Sequence, residues 1–129
     1  MSVSRVFKTR YFSRWMRKTE LADSALCVAA SEMESGLIDA DLGGGVVKKR
    51  VPMPGRGKSG SARTLVATNK GDRWFFLFGF EKNDRANVTA RELEALRSLA
   101  DDLLRLGSEE LNTHVEQEAL QEICHDEEN

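Results

Sequence analysis

The run Arg73 to Phe80 (RWFFLFGF) limits what this chain can become more than any other stretch. Read with the two-residue period of a strand, Trp74, Phe76, Phe78 and Phe80 fall on one face and Phe75, Leu77 and Gly79 on the other. A strand apolar on both faces needs cover above and below, so it belongs at the centre of a sheet. Ahead of it, Asn69-Lys70-Gly71-Asp72 supplies turn residues and Ala62 to Thr68 reads as a partner strand, which makes a hairpin. Polar residues Glu81 to Arg85 (EKNDR) follow its far end and stand at the rim of the sheet.

Short elements surround this hairpin. In residues 5 to 18 (RVFKTRYFSRWMRK), Tyr11, Phe12 and Trp15 approach helical spacing, which predicts a strand leading into a helix, or a helix throughout, with most of the aromatics in the core; the alternation of Arg with aromatics is the competing mark of an RNA-binding surface on which bases stack. Leu26, Ala29, Ala30, Met33 and Leu37 carry the helical period across Leu21 to Ser35, with Asp23 as the expected N-cap and Gly36 as the terminator. Glu32 and Glu34 read as solvent-facing charges. Gly43, Gly44 and Gly45 break any helix before a short strand that starts at Val46 and Val47. Pro52 and Pro54 remove backbone donors, so Val51 to Gly60 is expected to be a connector rather than a central strand.

The last helix is marked most clearly. Thr89 and Glu92 have the spacing of a capping box and Val88 and Leu93 that of a hydrophobic staple. Leu93, Leu96, Leu99, Leu103 and Leu106 form an apolar stripe, which places the helix at Ala90 to Leu106. Beyond Gly107 the chain reads either as a helical turn and an edge strand around Leu120 to Cys124, or as disorder. No internal repeat is visible. The order of elements implies an α+β fold, with N-terminal helices packed on a small, twisted, mostly antiparallel sheet, then a C-terminal helix and an acidic tail.

At 129 residues the chain suits a single domain, divided here into residues 1–107 and an acidic segment 108–129. No stretch of about eighteen apolar residues occurs, and the N-terminus has no secretory apolar core, so a soluble, cytoplasmic protein without a membrane is expected. Cys27 and Cys124 have no metal-ligand or redox-motif spacing and are expected to be reduced thiols. The formal charge of −2 hides a division: all nineteen Lys and Arg and thirteen of the acidic residues precede Ser108, and eight acidic residues follow. A basic body of this kind attracts polyanions, and the acidic segment either lies over it or stays solvated.

The positive charge is densest in Leu42 to Arg63 (LGGGVVKKRVPMPGRGKSGSAR), which holds six of the nineteen basic residues. Glycine permits close approach to a phosphate and Lys and Arg supply charge-assisted donors, although a solvated surface loop has the same composition. Gly57-Lys58-Ser59 imitates the end of a P-loop. The first glycine of that motif would fall at Pro52 and a strand-like run follows, so nucleotide binding is rejected.

EMESGLIDADLGGGVVKKRV, PGRGKSGSARTLVA and FFLFGFEKNDRANVTARELEALRSLA resemble the RelE-type toxins of bacterial type II toxin-antitoxin systems, in particular the HigB-like branch, over about residues 5 to 105. The resemblance implies a compact RelE/ParE fold. It also implies a ribonuclease that cuts messenger RNA, typically in the A site on the small subunit of the translating ribosome, and a cognate antitoxin with a helix-turn-helix domain. No metal or cofactor is implied. Matched positions are Lys48, Lys49 and Arg50, Lys58, Arg63, and Lys82 with Asn83; Arg56, Arg73 and Arg85, cations of the same segments, join them as expected RNA contacts. Ser59-Gly60-Ser61-Ala62-Arg63 departs from the usual loop pattern, and the tyrosine that some relatives carry near the C-terminus is missing, Tyr11 being the chain's only one.

Cutting RNA without metal requires taking a proton from a 2′-hydroxyl, stabilising a phosphorane and protonating the leaving 5′-oxygen. His114 and His125 lie outside the matched region, which leaves Lys, Arg and Glu for these tasks. Arg63 and Lys58 are expected on the scissile phosphate. Lys82, or else Glu81, is expected in proton transfer, since a lysine crowded by cations releases its proton more readily. A ParE-like poison of DNA gyrase and a non-catalytic nucleic-acid or antitoxin-binding module are the competing readings.

Overall fold

The computed structural model describes residues 4–54 and 60–124. Its elements are β1 Arg5–Thr9, α1 Arg10–Met16, α2 Asp23–Glu34, β2 Ala40–Gly43, β3 Val46–Pro52, β4 Ser61–Thr68, β5 Arg73–Glu81, α3 Ala90–Leu104, α4 Ser108–Glu116 and β6 Leu120–Ile123. One six-stranded sheet has the order β2-β3-β4-β5-β1-β6. Every pairing is antiparallel except that of β1 with β5.

The expected α+β class with a mostly antiparallel sheet is therefore observed, and RWFFLFGF lies inside the sheet, between β4 and β1. Helices cover both faces. Phe12 and Met16 of α1 and Leu26, Ala29, Ala30 and Met33 of α2 pack on Val6, Val47, Val51, Val66, Trp74 and Phe76. On the opposite face, Ala100 and Leu103 of α3 and Leu111 of α4 pack on Phe7, Val46, Leu65, Ala67, Phe75 and Leu77.

The strict alternation expected along β5 does not hold. Leu65 pairs with Phe78 while Val66 pairs with Phe76, so Leu77 is a bulge that inserts one residue and shifts the pattern. Phe78 consequently packs with Leu77 on the α3 face instead of joining Trp74 and Phe76. Gly79 turns toward α1, where a Cβ would stand 2.5 Å from Cζ3 of Trp15.

Local signals at helix ends account for much of the rest. Thr89 Oγ1 accepts from the Glu92 N–H at 3.1 Å and Glu92 Oε1 accepts from the Thr89 N–H at 2.8 Å, the expected capping box. After α2, Gly36 adopts φ +98° and its N–H donates to the Met33 carbonyl, while the Leu37 N–H reaches Glu32; Gly36 is thus the expected terminator. Asp23 is not the N-cap. It occupies the first helical position after Ala22 and accepts from the buried Lys8 ammonium at 2.7 Å. α3 stops at Leu104, and Leu99 of its stripe is 38% exposed.

Residues 5 to 18 take the first of the two expected forms, a strand leading into a helix, with Thr9 ending β1 and capping α1 through the Phe12 N–H at 3.1 Å; two other strands differ from the sequence expectation. β2 arises from the unassigned Ala40–Gly43 and forms a hairpin with β3 around Gly44 and Gly45. β3 continues as far as Pro52, whose missing donor is tolerated because β2 covers only Val46 to Lys48 and leaves that side unpaired among the described residues.

The glycine triplet therefore serves the turn and its packing. Gly44 has φ +63°, and a Cβ there would lie 2.8 Å from Cγ of Arg97, whose guanidinium donates to the Leu42 carbonyl. Gly44→Ala combines a left-handed penalty with displacement of Arg97, and is expected to destabilise the fold by about 2–3 kcal/mol. An unchanged denaturant midpoint would contradict this packing account.

For the C-terminal part the helix and edge strand near Leu120 to Cys124 are the alternative observed, and one expectation, that of reduced cysteines, is overturned. Residues 108–123 are not a solvated tail: β6 pairs antiparallel with β1, and Glu122 accepts two bonds from the Arg5 guanidinium at 2.8 and 2.9 Å. These bonds hold Arg5 more firmly protonated than a free arginine. Nor are the cysteines reduced. Cys27 of α2 and Cys124, just past β6, form a disulfide that spans a sequence separation of 97.

Candidate nucleic-acid interface

In register, Arg50 of β3 lies opposite Arg63 of β4, and Arg63 lies opposite Phe80 of β5. Directly paired residues share a face, so these three form a row across the sheet, with Lys48 two residues along β3 on the same side. That side carries Leu65 and Ala67, which α3 covers through Ala100 and Leu103; the Arg50–Arg63–Phe80 row lies toward the other ends of β3 and β4. Arg63 is half-buried and its Nη1 donates to Ser61 Oγ at 2.9 Å and to the Ser61 carbonyl at 3.2 Å. A guanidinium has five N–H donors, so the group is fixed in place and still has donors to offer. Among the described residues no carboxylate pairs with it.

The turn after β5 reaches the same end of the sheet. Ala62 pairs with Glu81, so Lys82 and Asn83 emerge beside the start of β4, both exposed. Arg85 follows, with its guanidinium 5.6 Å from the Phe78 ring centroid and 6.0 Å from that of Phe80. Arg85 also donates to Glu92, the residue that closes the α3 cap. That hydrogen bond is the main cause that raises the Arg85 pKa and lowers the Glu92 pKa.

Other expected members lie elsewhere. Lys49 points to the opposite face, as Val47 and Val51 do. It is buried there, 2.9 Å from Glu32 Oε1 and 2.9 Å from the Leu37 carbonyl, so Glu32 is a structural partner instead of a free surface charge. Glu81 shares the face of its partner Ala62 and is separated from Arg63 by the sheet. Arg73 is at the far end of β5 and donates to the Leu106 carbonyl and, at 3.4 Å, to Ser108 Oγ, tying α3 to α4. Arg56, Lys58 and His125 lie outside the described residues. His114 is on α4, with Nδ1 2.8 Å from the Glu110 carbonyl.

Consecutive cations thus have opposite duties. Lys49→Met removes a buried ammonium from an acceptor carbonyl and a carboxylate, and is expected to destabilise the fold by about 1–2 kcal/mol while activity per folded molecule stays unchanged. A large loss of specific activity with unaltered thermal stability would return Lys49 to the interface. Strand alternation already carried this signal, because Val47, Lys49 and Val51 share one face and Lys48 and Arg50 the other.

Tyr11, assigned chiefly to the core, is 57% exposed and stacks on Phe78 with ring centroids 5.8 Å apart and planes within 7° of parallel. A signal existed in the Thr9 cap, since a helix beginning at Arg10 turns Phe12 and Met16 inward and leaves Tyr11 outside. Among the described residues no group of three or more His, Cys, Asp or Glu is arranged to hold a metal. No helix among them is long and apolar enough to cross a membrane.

The described residues thus place a row of cations on one face of the sheet, with the exposed Tyr11 ring on the same side. Residues 4–123 match the family model described as the RelE toxin of the RelE/RelB toxin-antitoxin system. The chain belongs to that family and is the toxin component of a toxin-antitoxin system, with an antitoxin as its partner. No curated protein matches it.

Proposed function

We propose that this toxin is an endoribonuclease of the HigB-like branch, acting in the cytoplasm on messenger RNA held in the ribosomal A site, on the small subunit, and restrained by an antitoxin carrying a helix-turn-helix domain. The observation that carries the reading is the pairing of Arg50 with Arg63 on one face of the sheet, over the buried Phe80, which offers phosphate donors near the exposed Tyr11 ring. Arg63, with Lys58 earlier in the sequence, binds the scissile phosphate and stabilises the phosphorane. Lys82 takes part in proton transfer, and Lys48, Arg50, Arg56, Asn83 and Arg85 hold the strand. Glu81, on the other face, has no part in this scheme.

Sequencing of RNA 5′ ends after brief induction tests it. New ends within open reading frames are expected. Intact RNA together with altered plasmid supercoiling would assign the fold to gyrase poisoning. Salt-dependent RNA binding without new ends would make it a non-catalytic module.

A further inference from the structure

β1 pairs with β5 only as far as Lys8 and Phe76, so the end of β5 extends past its neighbour on that side. Tyr11, at the start of α1, crosses this gap and lies flat on Phe78. Phe78 in turn contacts Phe80, with ring centroids 6.2 Å apart, and the Arg85 guanidinium spans both rings. Phe80 is the register partner of Arg63. Phe80 itself is buried, so what this line of contacts leaves open to solvent is the half-buried Arg63 and Arg85 guanidiniums and the Tyr11 ring, which keeps 57% of its surface exposed.

Core packing does not require that exposure, since Phe12 and Met16 already anchor α1. Aromatic faces and guanidinium planes are the two surfaces on which unpaired bases stack, and here they adjoin the donors that would hold the neighbouring phosphate. We propose that Tyr11, resting on Phe78 beside Arg85, is a shelf for one nucleobase of single-stranded RNA while Arg63 holds the adjoining phosphate. The inference rests on the ribonuclease reading and adds to it the group that selects position along the strand. The hollow of about 370 Å³ beside the ring, lined by Leu77, Leu96 and Leu99 among others, is mainly apolar and is the feature a protein partner would use instead.

The test uses the full chain and a single-stranded oligonucleotide made uncleavable by a 2′-deoxy substitution at the cleaved position, with an abasic site moved along it. Wild type is expected to bind about ten- to a hundred-fold more weakly when one particular base is missing. Tyr11→Leu should bind the intact strand that much more weakly and show no further loss at the abasic position, while Tyr11→Phe keeps the wild-type pattern. Melting curves confirm folding, which an exposed side chain should not disturb. If Tyr11→Leu still senses the missing base as wild type does, or loses affinity for the antitoxin alone, the shelf is wrong and the ribonuclease reading stands. If wild type neither binds the strand nor cuts messenger RNA on translating ribosomes, both fall together.

Discussion

Arg63→Ala is expected to lower RNA cleavage by about 10²–10³-fold while the protein stays folded. The size follows from the task, because a phosphorane gains negative charge as it forms and a prepositioned donor acts on that charge more than on the ground-state phosphate. Ser61 already holds the guanidinium, so little reorganisation is needed at the moment of reaction. The stability cost should be near that of one hydrogen bond, about 1 kcal/mol. Lys49→Met provides the contrast, since it lies one strand away and on the opposite face. If Arg63→Ala cut RNA at the wild-type rate with an unchanged melting temperature, the cationic row would have no catalytic role.

Loss of the Cys27–Cys124 bond should be the largest change in stability. Closing a loop of nearly a hundred residues restricts the unfolded chain by about 4.7 kcal/mol in the entropic account, and measured losses usually reach about 2–4 kcal/mol. For a domain of this size the melting temperature should fall by roughly 10–15 °C on reduction. Cys27→Ser and Cys124→Ser should each reproduce that fall, and the double variant should be no worse than either. Two free thiols titrating in unreduced, denatured protein would remove the basis for this expectation. In a reducing compartment the domain must rely on its two packed faces alone.

What could be read from the residues was mostly local. The Thr89–Glu92 box, the Gly36 terminator and the 61–81 hairpin are decided by side chains within a few positions of one another, and all three were legible. RWFFLFGF announced its central place because apolar side chains on both faces leave no other site for it. The bulge at Leu77 was not legible, since it depends on Gly79 lying under the Trp15 ring, a contact between distant segments. β1 was half hidden because Lys8 breaks its apolar face, and only Asp23, from another element, makes that buried ammonium tolerable. The site was partly legible: Arg50 and Arg63 were named, but their pairing is a matter of register. Lys49, Glu81 and Arg73 were placed with them because proximity in sequence says nothing about side of the sheet. Tyr11 was assigned chiefly to the core because an aromatic beside Phe12 resembles core, and only the phase of α1 separates the two.

The position of β1 between β5 and β6 has a consequence for how the molecule comes into being. Arg5 pairs with Arg73 and Val6 with Ile123, so this strand leaves the ribosome long before either neighbour exists. At about 5–20 residues per second the delay is on the order of several seconds, and pairings so distant in sequence are slow to close afterwards. The β3–β4–β5 meander can form from nearby residues, but Tyr11 cannot settle on Phe78 until β1 has inserted. In a newly made chain the Tyr11–Phe78 contact therefore waits on a pairing between segments far apart in sequence.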